Sequence, residues 1–173
     1  MLVFLYSVFF LSGFSALAYQ IAWQRMLGAF AGSDSVATTI IVSAFLFGLG
    51  IGSLIGALLA DRLSPRSALR IFGLCEVVIG TFACFSRTLF YDFFLGQLGS
   101  IAGNPFMTWI VVLTALLSPT ALMGMSLPFL SRVIVDTIDR ASARIGWLYG
   151  LNTLGAATGS LLTGWVFIGT FGF

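Results

Sequence analysis

The chain has 173 residues, 59% of them hydrophobic and only 8% charged, and its mean hydropathy is +1.07. A soluble domain carries about 25% charged residues. Too little polar surface is present here to cover a water-facing exterior, so lipid must take the place of water. The net charge of +2, with the arginines in loops rather than in a patch, argues against nucleic acid as a partner. The absence of histidine removes the commonest metal and haem ligand and the commonest general base near neutral pH.

The N-terminal apolar run has no basic segment before it and passes residue 20 without a cleavage site. It reads as a retained first span over about residues 3–30 rather than a signal peptide. Tyr19, Gln20, Gln24 and Arg25 make its far end polar. A Gly32-Ser33-Asp34-Ser35 turn leads into a second span over about 36–60. There Gly48, Gly52, Gly56 and Ala60 recur every fourth residue and form one smooth stripe, the pattern that lets helices pack backbone to backbone in lipid. The span stops at Asp61-Arg62, and Pro65, Arg66 and Arg70 follow. A third span over about 68–86 holds Glu76. Each span is near the ~20 residues that cross a hydrocarbon core.

Residues 88–104 mix Phe90, Phe93, Phe94 and Leu98 with Asp92, Gln97 and Asn104. This short, aromatic, partly amphipathic run predicts an interfacial or re-entrant helix rather than a span. A fourth span over about 106–131 contains Pro119 and Pro128, which bend a helix and remove donors that neighbouring helices can replace. The polar stretch Asp136-Thr137-Ile138-Asp139-Arg140 predicts a loop, and a fifth span from about 145 carries Gly146, Gly150, Gly155 and Gly159. Glycine-rich apolar sequence then runs to Phe173 without a polar flank, so residues 1–173 are expected to form a single transmembrane domain that is incomplete at its C-terminal end.

Charge orients the spans. With five crossings, Arg62, Arg66, Arg70, Arg132, Arg140 and Arg144 share one side, and only Arg25 and Arg87 fall on the other. The positive-inside rule then puts the N-terminus in the cytoplasm of a bacterial inner membrane. Cys75 and Cys84 lie nine residues apart on one helix, about 13 Å along its axis. They cannot bridge there, two thiols make no metal site, and both read as small buried hydrophobes. Neither a metal nor a cofactor is expected.

Several segments resemble a known family. Gly56-Ala57-Leu58-Leu59-Ala60-Asp61-Arg62, followed by Pro65-Arg66, resembles the loop motif between the second and third helices of major facilitator superfamily transporters, with Leu63-Ser64 replacing the usual glycine-centred turn. The run from Ser12 to Arg25 (SGFSALAYQIAWQR) resembles the first helix of the membrane part of bacterial fused major facilitator transporter/spermidine synthase-like proteins. Leu122-Met123-Gly124-Met125-Ser126-Leu127-Pro128 and the run from Leu148 to Ala156 (LYGLNTLGA) are similar to later helices of that family. The resemblance implies half of a major-facilitator-like bundle. The soluble aminopropyltransferase domain of longer relatives has no counterpart here, since no strand leads into a glycine-rich nucleotide loop, so no enzyme activity carries over. Gln20 stands where many relatives have an acidic residue.

Candidate site residues follow from polarity inside apolar helices. Glu76 is the sharpest: an unpaired intramembrane carboxylate costs roughly 2–4 kcal/mol, which suggests a proton or cation site, or a structural hydrogen bond in the protonated form. Tyr19 and Trp23 share one helix face and Gln20 and Gln24 the next, as a wall for an organic cation would require. Trp23 and Arg25 read instead as anchors at the membrane interface. Asp61, Arg62 and Arg66 are candidates for a conformational latch, as the resemblance implies, and Asn152 for a hydrogen bond between helices or to substrate. Gly48, Gly52, Gly56, Gly155 and Gly159 are expected to be packing positions. The expected architecture is an all-α polytopic bundle of about five spans plus one interfacial helix, its partners being lipid and other transmembrane helices. Two functions fit: a transporter-like domain handling polyamines or other organic cations, or a non-catalytic accessory subunit of a larger membrane complex.

Overall fold

A computed structural model describes residues 2–32, 35–101, 104–135 and 137–171, and the side chains of these residues other than Leu95 and Phe171. Ser33, Asp34 and Asp136, assigned to turns by the sequence, lie outside the described residues. The chain folds as α1 (Leu2–Ala31), α2 (Ser35–Ala60), α3 (Pro65–Arg87), α4 (Pro105–Ile134), α5 (Ile138–Leu162) and a short α6 (Ile168–Phe171). Five helical stretches are long and apolar enough to cross a membrane: Leu2–Ala31, Ser35–Ala60, Pro65–Phe94, Pro105–Ile134 and Ile138–Thr170. Large apolar side chains cover the outside, among them Val3, Phe4, Leu54, Leu74, Val77 and Trp165. That inside-out distribution suits hydrocarbon and not water.

Local chemistry sets the helix starts and stops. Gly32 takes a φ of 101°, a backbone conformation that side-chain-bearing residues rarely adopt, and so ends α1. The Ser64 hydroxyl accepts from Ser67 N at 3.2 Å and Pro65 opens α3. Asn104 does the same for α4, its side-chain oxygen accepting from Phe106 N at 3.1 Å and Met107 N at 3.3 Å. α4 runs through Pro119 and Pro128 without a break.

Residues 88–104 differ from expectation. No separate interfacial helix forms among the described residues. Thr88–Leu95 prolongs α3 as a π-helix, and only a short 3₁₀ turn, Gly99–Ile101, precedes α4. Phe90 and Phe94, four residues apart, point inward and are buried, while Asp92 and Gln97 stay outside. The mixed pattern that suggested a surface helix is the inner and outer face of one long span. α5 likewise begins earlier than expected, taking Asp139 and Arg140 into its first turn, and it ends in a π-helical turn, Thr163–Phe167.

The bundle is built from close helix pairs. α2 lies parallel to α4, with Gly48 against Thr120, Gly52 against Ala121 and Gly56 against Met125, while Gly124 faces Leu49 and Ser53 in return. α1 lies parallel to α5, with Gly155 against Phe10 and Gly159 against Phe14, and Gly13 meets Asn152. A methyl group added at any of these glycines would collide with the facing helix, at most of them with its backbone. α3 packs on α4, and direct packing of α1 on α2 is slight. A core at one end gathers Leu5, Phe9, Phe72, Phe129, Leu130 and Leu148, and a second core at the other end gathers Trp23, Leu27, Phe30, Phe45, Phe90 and Leu116. The loops between α2 and α3 and between α4 and α5 share the first end, where Arg132 Nε donates to Leu63 O at 3.0 Å and the Arg144 guanidinium donates to Ile134 O. Arg25 and Arg87 sit toward the other end.

Candidate functional site

Polar groups meet halfway along the bundle. Glu76 lies 11 residues into α3, about 16 Å from its start and therefore near the middle of a ~30 Å hydrocarbon core. Its Oε1 accepts from Ser12 Oγ of α1 at 2.7 Å and from Ser126 Oγ of α4 at 3.3 Å. One carboxyl oxygen thus ties three helices. Two hydroxyl donors on one oxygen offset part of the cost of holding a carboxyl group in lipid.

Ser12 and Ser126 also line a cavity of about 280 Å³ bounded by α1, α2, α4 and α5 and open at the side where Ser53 and Tyr149 are exposed. Ser53, Tyr149 and Asn152 add polar groups to its wall, and Phe9, Phe45 and Leu49 add apolar ones. Glu76 stands behind the two serines rather than in the wall itself. Asn152 Nδ2 donates to Phe9 O at 3.0 Å, so its side-chain oxygen remains as an acceptor. The cavity has the volume of about nine liquid waters, enough for a slender alkyl amine. It offers such a molecule hydroxyl and amide acceptors backed by a carboxyl group.

A second, wider space of about 840 Å³ opens between the far end of α1, the start of α2 and Tyr91. Gln24, Arg25, Thr38 and Tyr91 provide its polar groups. Gly28 makes the wall smooth, with nothing within 4 Å of where its Cβ would be.

The five residues expected to bind substrate therefore divide among several places. Asn152 lines the inner cavity, Glu76 stands behind that cavity's serines, Gln24 lines the outer vestibule, and Tyr19 and Gln20 line neither space. Tyr19 stacks on Trp23 with ring centroids 5.5 Å apart and planes 14° apart. Trp23 is no interface anchor. It is 1% exposed and meets Phe82 edge-on at 5.2 Å and Phe90 at 6.4 Å. The aromatic face of α1 is thus committed to core packing and is turned away from the glutamine face. Arg25 is exposed, in keeping with an end-of-helix position.

Of the latch candidates, Asp61 lines a small space that it shares with Pro128, Ser131 and Arg132 of α4. Among the described residues Asp61, Arg62 and Arg66 make no ion pair. The ties at this end run from Arg132 and Arg144 to backbone carbonyls. Both arginines were legible only as topological charges, since nothing in sequence spacing tells which carbonyl a long side chain will reach. Ser12, Ser53 and Ser126 were missed because single serines in apolar helices carry no pattern. Cys75 is buried as expected, whereas Cys84 is exposed on the outer surface of α3.

Among the described residues no cluster of histidine, cysteine or carboxylate side chains is suited to hold a metal ion. Comparisons of the chain with protein-family models, with curated proteins and with solved structures found no match.

Proposed function

We propose that this chain is a transporter-like integral membrane domain that handles a small organic cation, a polyamine being the natural candidate, in a bacterial inner membrane with the N-terminus in the cytoplasm. One observation carries the reading: the Glu76 carboxyl group accepts the hydroxyls of Ser12 and Ser126, and those two hydroxyls form the wall of the inner cavity. An ammonium group entering the cavity would compete with the two hydroxyls for the same carboxyl oxygen and pair with its charge. The six arginines at one end against two toward the other support the orientation. A second helical bundle laid across α1, α2, α4 and α5 would complete the binding site, since such sites lie between repeats.

The test is equilibrium binding of spermidine to the purified protein in detergent. Glu76→Gln keeps the side chain's shape and removes its charge, and it is expected to weaken binding about tenfold, equivalent to ~1.4 kcal/mol. Unchanged affinity in this variant, or no binding by the native chain, would overturn the proposal.

One observation favours a second reading, an accessory subunit packed on a larger membrane complex. Gly146, Gly150 and Gly164 of the fifth span have nothing within 4 Å of where a Cβ would be, which leaves smooth positions to accept a foreign helix. Co-purification at fixed stoichiometry with a membrane complex, together with no cation binding, would establish that role.

A further inference from the structure

The outer side of the α1/α5 pair carries a groove of about 560 Å³, separate from both spaces of the candidate site. α1 lines it from Val3 to Leu11, with Tyr6 and Phe10 between, and α5 adds Trp147 and Leu151. Val3, Leu11 and Trp147 are exposed. Ser7, also in the wall, donates its hydroxyl to Val3 O at 3.1 Å. The Tyr6 hydroxyl has no hydrogen-bond partner among the described residues. Gly155 meets Phe10 and Gly159 meets Phe14, so Trp147 comes level with the start of α1, and the groove opens at the arginine-rich end.

Arg140 precedes Trp147 by seven residues and Leu151 by eleven. Those intervals return to one helix face, so Arg140 stands on the groove's side of α5, about 10 Å beyond the mouth. It is exposed and makes no ion pair among the described residues. Its neighbour Asp139 lies about 100° round the helix, off that face. The groove also differs from a helix seat. The closest helix contacts in this bundle run over glycines, and no glycine lines the groove. Bulky side chains of uneven height suit a flexible hydrocarbon tail better than a rigid helix.

We infer that this groove holds one acyl chain of an anionic phospholipid, with the lipid phosphate on the Arg140 guanidinium. A greasy trough ending at a fixed cation matches the two ends of such a molecule. Trp147 at the mouth suits the border between headgroups and hydrocarbon. The Tyr6 phenol, just inside, can donate to an ester carbonyl, a partner it lacks within the protein. The inference does not depend on Glu76 or on the inner cavity.

Native mass spectrometry of the protein in mild detergent tests it, with palmitoyl-oleoyl phosphatidylglycerol and the matching phosphatidylethanolamine as probes. One phosphatidylglycerol is expected to stay bound in preference to phosphatidylethanolamine. Arg140→Gln is expected to weaken phosphatidylglycerol about fivefold, the effect of one basic residue at a membrane surface, and to leave phosphatidylethanolamine unchanged. Ser7→Trp fills the groove from an exposed position and should abolish the retained lipid. Arg66→Gln is the control: it removes an exposed arginine of the same end, on α3 and away from the groove, and should change nothing. Equal losses in the Arg140 and Arg66 variants would mean general attraction to the basic end and would overturn the site. So would equal retention of the two lipids, or a lipid-free dimer that Ser7→Trp disrupts, which would give the groove to a second copy of the chain.

Discussion

Gly52→Ala is expected to be among the most damaging conservative changes in this protein. A methyl group at Gly52 would lie 2.6 Å from both the Cα and the carbonyl carbon of Ala121, and still closer to its carbonyl oxygen. Ordinary van der Waals contact begins near 3.4 Å, so α2 and α4 must separate by at least about 0.8 Å, because backbone atoms cannot rotate aside as a side chain can. A gap of that size forfeits about a quarter to a half of each dispersion contact along the seam. With ~40–60 atom pairs at ~0.15 kcal/mol each, the loss is ~2–4 kcal/mol. Helix propensity opposes this by only about 1 kcal/mol. Gly50→Ala is the internal comparison, because nothing lies within 4 Å of that position and only the propensity gain remains. Reversible unfolding in mixed micelles of mild detergent and dodecyl sulfate, followed by circular dichroism, reads both variants. Equal stabilities for the two, or a Gly52→Ala loss below about 0.5 kcal/mol, would refute the close-packed seam.

Trp23→Ala should cost about 3–5 kcal/mol in the same assay, the range for truncating a fully buried aromatic residue, whereas an interface anchor would lose far less. Asn152→Ala removes the hydrogen bond to the Phe9 carbonyl and should destabilise by about 0.5–1.5 kcal/mol, with the effect abolished in a chain already carrying a change that separates α1 from α5. A membrane-permeant maleimide should modify Cys84 in folded protein and spare Cys75 until dodecyl sulfate is added, as read by intact mass.

Much of the fold was legible in the sequence, because a bilayer imposes a simple demand. A crossing needs ~20 apolar residues with their backbone bonded internally, and five runs met that condition. The glycine stripe at Gly48, Gly52 and Gly56 announced a close approach without naming the other party, since a smooth helix face fits any helix equally well. Which helices meet is decided by tertiary packing, and α4 supplies the partner through Thr120, Ala121 and Met125. Residues 88–95 misled because a short run with one apolar and one polar face suits a surface helix and the end of a span alike. Phe90 and Phe94, four residues apart, point inward, while Phe93 stays outside. Trp23 misled for a different reason: an indole near a helix end suits a headgroup region and an aromatic core equally, and only the positions of Phe82 and Phe90 distinguish the two. At the candidate site Glu76 was conspicuous as an acid in an apolar run. Its serine partners, 64 and 50 residues away, could not be read from spacing.

The pairing of α1 with α5 also bears on how the chain is made. Asn152 follows Phe9 by 143 residues, and a ribosome adding ~5–20 residues per second needs roughly 7–30 s to deliver it. Throughout that interval the first helix sits in the bilayer with its small-residue groove vacant, while α2, α3 and α4 emerge beside it. Biogenesis must keep those earlier arrivals from occupying the groove. The fifth long segment to be synthesised is therefore the one that commits the first to its native neighbour.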